Sequence, residues 1–273
     1  MKKLVLTASF GDRPFKEFTI DSQRKYAEKI GADFRVIEEF EVDQKFNDIK
    51  IGRKGNTAYL IKLLVVQQAF QEYDRVIWLD DTCIVANNCP DLFQIVPEEC
   101  FGAHNEGILG WVMADKQTIS LYKENNQPNI ITSQSYFNTG IMVLTKKHHE
   151  SLFTDNMILT LGTKGHFANG YPEQTYLNYL VAKYGFGFFP LPSLFNRMSV
   201  NFSSIEGVRV NYDDYTPFQT RVAAEMKDFS FLKENTTRIG MLNGAYIYHI
   251  TSMYSPDRRY DLIKRLYEIK VDK

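Results

Sequence analysis

Two adjacent carboxylates, Asp80 and Asp81, follow the hydrophobic run VIWL in the segment YDRVIWLDDTCIV, residues 73–85. Holding two like charges at the end of a buried strand costs on the order of several kcal/mol unless a cation offsets them. In open α/β sheets ligands bind just beyond the carboxyl ends of the strands, which is where these acids stand. Oxygen ligands of this kind suit Mg²⁺ or Mn²⁺, and a cation there neutralises a diphosphate. The competing reading is structural: Asp81 and Thr82 cap a turn while Asp80 pairs with an Arg or Lys. The placement of the acids after VIWL, behind a helical segment ending QEYDR, favours the chemical reading.

Other residues invite the same weighing. Lys62 has Ala58, Val65, Val66 and Ala69 as its helical neighbours, so its charge needs an anionic partner: Asp80, another internal acid or a diphosphate. His249 lies in YIYHI and is either a hydrogen-bonded core residue or a metal ligand, imidazole beside carboxylates being well suited to Mn²⁺. Asn138 precedes Thr139 and Gly140 on an apolar strand, where a buried amide needs several partners. Gly140 permits close approach of a neighbouring backbone. Glu173 and Gln174 follow Pro172 at a helix start, a favourable place for a negative charge. Phe10 is equally a core residue and a stacking surface. His148, His149 and Glu150 resemble a metal cluster on paper, but adjacent histidines on a helix diverge, and an exposed polar patch is expected.

The elements that must position these groups follow from pattern. Residues 3–10 form a first strand, GDRP turns the chain with Pro14 at a helix's first position, and residues 15–30 form a helix that Gly31 stops. A strand at 33–37, a helix at 57–71 and a strand at 75–80 complete β-α-β-α-β, the start of a parallel sheet in an α/β protein. Further strands are expected at 100–104 and 137–144, helices at 146–160 and 173–183, and a strand pair at 185–190 and 245–250. Residues 257–271 place Leu262, Leu266 and Ile269 on one side of a final helix, which either touches a membrane surface or closes the core.

The chain's 273 residues, 44% of them apolar, suffice for one large core, and no linker divides them, so residues 1–273 are read as a single domain. Residues 41–56, with Gly52 and Gly55, form a surface loop near the site. A net charge of −1 provides no field to gather nucleic acid over the surface. The three cysteines lack a CxxC spacing, which argues against a disulfide framework and structural zinc and makes the reducing cytoplasm the default. MKKLVLTASFGDR reads as a first strand, neither signal peptide nor transmembrane segment.

With the elements placed, the chain resembles nucleotide-sugar glycosyltransferases of the GT-A fold, most closely glycosyltransferase family 8. Four pieces carry the resemblance: YDRVIWLDDTCIV is similar to the family's strand ending in Asp-x-Asp, FNTGIMVL (137–144) to its Asn-containing strand, PEQTYLNYL (172–180) to its acidic-Gln helix start, and YIYHITSMYSPDRR (246–259) to its late His motif. The fold so implied is Rossmann-like, a mixed, mostly parallel sheet flanked by helices.

The resemblance implies roles. Asp80, Asp81, Thr82 and His249 would hold Mn²⁺ or Mg²⁺, and Lys62 would face the donor. Thr7, Ala8, Phe10 and Arg13 would hold base, ribose and phosphate of a UDP-sugar, Asn138 its sugar or ribose, and Arg258 with Arg259 the leaving diphosphate. One departure matters: Thr82 stands where the family has its second acid. Either Thr82 offers a weak hydroxyl ligand, or the chain bends so that Asp81 replaces the missing carboxylate, or metal dependence is reduced; the bend is the favoured expectation. In an inverting reaction Glu173 is the base that deprotonates the acceptor. In a retaining one, as in family 8, Gln174 contacts the reacting face. The expected activity is metal-assisted transfer of a sugar to a hydroxyl of a glycan or other acceptor. The alternative is a non-catalytic nucleotide-sugar or glycan binding protein of the same fold, which Thr82 makes credible. Nucleotidyl transfer ranks third, because a glycine-rich, basic phosphate loop is missing near the N-terminus.

Overall fold

Strand parity organises the molecule. In the computed structural model, which describes residues 1–46, 58–105, 136–163, 172–198, 204–205, 208–209, 245–250 and 256–272, alternate side chains of the central strands enter two different cores. Leu4, Leu6, Val76, Trp78, Met142 and Leu144 face one side, while Val5, Ile77, Leu79, Ile141 and Val143 face the other. A period of two with both faces apolar is what a sheet covered by helices on both sides requires.

The strands are β1 (Lys3–Ala8), β2 (Asp33–Ile37), β3 (Arg75–Leu79), β4 (Cys83–Val85), β5 (Cys100–Asn105), β6 (Phe137–Thr145), β7 (Gly187–Leu191), β8 (Arg197–Met198), β9 (Ser204–Ile205), β10 (Val208–Arg209) and β11 (Ile247–His249). The helices are α1 (Lys16–Lys29), α2 (Ala58–Glu72), α3 (Leu92–Ile95), α4 (Lys146–His149), α5 (Asp155–Thr163), α6 (Pro172–Lys183) and α7 (Pro256–Lys270). Six strands form the main sheet in the order β2-β1-β3-β6-β5-β7. β1 runs parallel to β2 and β3, β6 runs antiparallel to β3 and β5, and β5 and β7 are parallel. β4, β11 and β8 form a second, three-stranded sheet.

The opening β-α-β-α-β unit stands as expected, with Gly31 adopting φ 65° where α1 ends. Pro14 precedes α1 by two residues instead of opening it, and β3 stops at Leu79, before the acids. The helix expected over 146–160 is broken into α4, a 3₁₀ turn at Glu150–Phe153 and α5, because Thr154 is extended. The two strands expected as a pair belong to different sheets: β7 lies on β5, and β11 lies between β4 and β8.

α7 packs Leu262, Ile263 and Leu266 against Phe15, Ile84, Tyr248 and Ile250, so its apolar face closes a core. No helix among the described residues is long and apolar enough to cross a membrane. His149 corrects another expectation: it is fully buried, its Nδ1 accepts the Thr145 N–H at 2.9 Å, and its ring lies edge-on to Phe101. Of the loop 41–56, only residues 41–46 and of the late motif only 246–250 and 256–259 lie within the described residues.

Candidate active site

Parity continues one residue past β3 and separates the two acids. Asp80 shares the face of Trp78, toward α2: the Trp78 indole N–H donates to Asp80 Oδ1 at 2.8 Å, and Lys62 Nζ reaches the same oxygen at 3.0 Å. Lys62 also donates to the Thr139 carbonyl at 3.2 Å and lies 3.5 Å from Glu173 Oε1. Its anionic partners are therefore internal acids. Asp81 points to the opposite side, where Ser9 Oγ donates to Oδ2 at 2.7 Å and Arg13 Nη1 to Oδ1 at 3.1 Å.

Between the acids the backbone turns, with the Cys83 N–H donating to the Asp80 carbonyl at 3.0 Å. Gln23 of α1 clamps this turn, its amide donating to the carbonyls of Asp80 and Cys83 at 3.1 Å each. Contrary to expectation, the turn does not bring Asp81 round to the place of the missing carboxylate: strand parity sends it to Ser9 and Arg13, away from the side that Asp80 faces.

The second sheet brings in the far end of the chain. β4 begins two residues after Asp81 and pairs antiparallel with β11 so that Cys83 opposes His249, and the Ile250 N–H donates to the Thr82 carbonyl at 3.0 Å. His249 Nε2 then lies 3.6 Å from Asp80 Oδ2, the oxygen that Lys62 and Trp78 leave open. The imidazole rests on Gly140, where an added Cβ would fall 2.2 Å from His249 Cε1. Gly140 therefore makes room for a side chain, not for the neighbouring backbone that the sequence suggested. On its other edge the ring meets Asn196, with Nδ1 3.1 Å from Oδ1.

α6 completes the floor. Gln174 Oε1 accepts from the Thr139 N–H and from Asn138 Nδ2, both at 3.2 Å, and Glu173 Oε1 accepts from the Thr139 hydroxyl at 3.2 Å. Asn178 ties the helix to the sheet by exchanging hydrogen bonds with the Phe137 backbone, 2.8 Å each.

The ionisation states follow from burial and these contacts. Burial works to raise the Asp80 pKa, but the Lys62 ammonium beside it overrides this and holds it below the ordinary carboxylate value. Burial works against the charge on Lys62, and Asp80 and Glu173 more than restore it. For Glu173 burial wins over Lys62 and the carboxyl is pushed up. Asp81 is raised by burial despite Arg13 and Ser9, and burial keeps His249 low, hence neutral. Lys62 and Asp80 form the ionised pair, and Glu173, whose Oε2 has no hydrogen-bond partner among the described residues, is the acid that takes up a proton more readily.

A divalent cation would find two protein donors here, Asp80 Oδ2 and His249 Nε2, facing one another. No group of three or more His, Cys, Asp or Glu side chains placed to hold a metal exists among the described residues. The pair fits a cation of the Mg²⁺ or Mn²⁺ type, which commonly takes one or two protein ligands and completes its shell with water and phosphate oxygens; it does not fit a closed structural site.

Among the remaining candidates, Thr7 is buried at the end of β1, and Ala8 and Phe10 are partly buried against the larger core. Arg13 is engaged by Asp81. Arg258 sits in the first turn of α7, and its side chain lies outside the described residues. Arg259 lies over the Phe15 ring, 5.5 Å from its centroid. Sequence reading missed Ser9, Gln23 and Asn196. For Asn196 the only available signal was an uncharged polar residue behind the apolar pair Leu194 and Phe195.

Residues 5–186 match a protein-family model described as glycosyl transferase family 8. No curated protein matches the sequence. Several solved structures share the fold. One is a glycosyltransferase involved in the glycosylation of the major capsid of PBCV-1, 13% identical over 97% of this chain and 100% of that one, with a TM-score of 0.50. Mouse xyloside xylosyltransferase 1 in its apo form is 14% identical over 91% and 97%, with a TM-score of 0.52. A galactosyltransferase, LgtC, in complex with donor and acceptor sugar analogues is 12% identical over 96% and 95%, with a TM-score of 0.51.

Proposed function

We propose a specific chemistry for this chain, which belongs to glycosyltransferase family 8 and is a glycosyltransferase of the GT-A fold: as a single domain, it moves a sugar from a UDP-linked donor to a hydroxyl of a glycan or other acceptor, with Mn²⁺ or Mg²⁺. The observation that carries this reading is the Asp80 carboxylate at the end of β3, one oxygen 3.0 Å from Lys62 and the other facing His249 Nε2.

When bound there, the cation supplies positive charge to the leaving diphosphate. Asp80 and His249 would hold it, and Lys62 would add an ammonium, already fixed in place, to the charge that the leaving diphosphate meets. By likeness to the family, Arg13, Arg258 and Arg259 would serve the phosphates of the donor. Thr7, Ala8 and Phe10 border the base and ribose. Asn138 and Gln174, locked to each other and to the Thr139 N–H, orient the donor sugar.

Glu173 is buried, with one oxygen bound by Thr139 and facing Lys62. That environment suits a group that tunes Lys62 better than a base open to an acceptor, and it favours the retaining outcome with Gln174 at the sugar. The three cysteines carry free thiols, which suits the cytoplasm.

The test is incubation of the purified protein with UDP- and GDP-sugars in Mn²⁺, Mg²⁺ or EDTA, following release of nucleoside diphosphate. Release from a UDP-sugar that EDTA abolishes is expected. Donor binding that is indifferent to EDTA, without release under any metal, would favour the binding-protein alternative.

A further inference from the structure

Asn196 is fully buried, and its side chain hydrogen-bonds both Asn138 and His249. The direction of each hydrogen bond in this group can be worked out from the backbone. The Gly140 N–H donates to Asn138 Oδ1 at 2.8 Å, and a backbone amide can only donate, so that atom is the oxygen. The Asn196 group that meets the same oxygen at 3.0 Å must then be its NH₂. This turns the Asn196 oxygen toward His249 Nδ1, 3.1 Å away, and an oxygen there requires a proton on Nδ1. The Thr139 N–H fixes the other end of the chain in the same sense, by donating to Gln174 Oε1, which in turn accepts from Asn138 Nδ2.

We propose that Asn196 is a positioning residue that sets the tautomer of His249: two backbone amides, acting through Asn138 and Asn196, place the proton on Nδ1 and leave Nε2 as a bare lone pair opposite Asp80 Oδ2. Two acceptors 3.6 Å apart with no hydrogen between them form a seat for a cation. Gly140 holds the plane of the ring by contact while Asn196 holds its proton, so the two constraints are independent. An imidazole whose outer nitrogen donates to an amide oxygen is a better ligand at its inner nitrogen, and loss of such a partner typically costs about 10–100-fold in metal affinity. The link to cation binding rests on the reading of the preceding section; the tautomer itself does not.

The experiment separates the two. The ¹⁵N spectrum of selectively histidine-labelled protein without metal, at neutral pH, is expected to show His249 with a pyrrole-like Nδ1 and a pyridine-like Nε2. Asn196→Leu should mix or invert that pattern, while Asn196→Asp, which keeps an acceptor oxygen, should retain it. Thermal unfolding of each variant confirms that the compared proteins are folded. Calorimetric titration of Mn²⁺ in the presence of UDP should show binding weakened about 10–100-fold in Asn196→Leu and less in Asn196→Asp. A protonated Nε2 in the wild type, or a pattern unchanged by Asn196→Leu, would overturn the proposal. The expected tautomers with no Mn²⁺ binding in any protein would uphold the positioning role and sink the cation reading instead.

Discussion

Lys62 and Asp80 form an ion pair at the end of β3, Nζ to Oδ1 3.0 Å, in which the ammonium is buried and also lies 3.5 Å from Glu173. One cation thus serves two acids. Removing one partner of a buried pair leaves charge without compensation, at a cost of about 3–5 kcal/mol. Lys62→Met should destabilise the protein by about 3 kcal/mol in urea unfolding, toward the low end because Asp80 keeps some solvent contact. Adding Glu173→Gln should recover part of that loss. A cost for Lys62→Met within experimental error would show that the pair is not what keeps Asp80 ionised.

The two acids face different partners, so their amide variants should differ in kind. Asp80→Asn removes the oxygen that faces His249, and nucleoside diphosphate release should fall by about 10²-fold or more. Asp81→Asn leaves that pair intact and releases Arg13, so its effect should fall mainly on the donor KM, with Mn²⁺ affinity unchanged. Equal loss of Mn²⁺ affinity in both variants would mean that Asp81 swings to the metal side.

A methyl group at position 140 would fall 2.2 Å from His249 Cε1. Gly140→Ala should therefore push the imidazole off its seat, with an overpacking cost of about 1–3 kcal/mol and loss of Mn²⁺ binding beyond that of a generally destabilised control. Retained Mn²⁺ affinity would show that His249 is dispensable there.

Acid sensitivity should have a distinct source outside the site. Burial lowers the His149 pKa from 6.5 to about 4, with the neighbouring His148 adding to the effect. In the unfolded chain this imidazole takes its proton near 6.5, whereas in the native protein it does so only near 4. Between those values the unfolded state binds more protons, so stability present above pH 6.5 is lost as pH falls, by about 3 kcal/mol in full. His149→Asn, which keeps an acceptor for the Thr145 N–H, should flatten the stability profile in that window. An unchanged profile would place the titration elsewhere.

Much of this arrangement was legible before any coordinates. The strand-helix order from β1 to β3 pointed to a parallel sheet, and the acids behind the apolar run of β3 pointed to its carboxyl edge. Lys62 was legible in part, because a charge among apolar helical neighbours must meet an anion; that the anion is Asp80 and not a diphosphate took the geometry. The direction of Asp81 was not, since it depends on Gln23 clamping the turn and on Ser9 and Arg13 waiting across it, none of which is near in sequence. Asn196 was invisible because the sequence around it, PSLFNRM, is short and turn-rich and does not say which polar residue turns inward. His149 was misread because KKHHE looks uniformly polar, whereas a backbone N–H and the Phe101 ring decide its burial.

The short ladder between β4 and β11 carries a consequence for the order in which the protein forms. The half of the site on β3 is assembled from nearby sequence, but His249 reaches it only through a pairing with Cys83 across most of the chain. Contacts of such long range form late, because the entropy of closing the intervening loop must be met before they contribute. Pulsed hydrogen exchange during refolding should find Ile250 N–H, bonded to Thr82, protected after the amides of β1 and β3. A chain in which β11 has not yet paired would bring Asp80 and Lys62 together without the imidazole, so the facing of Asp80 and His249 arrives only with the completed fold.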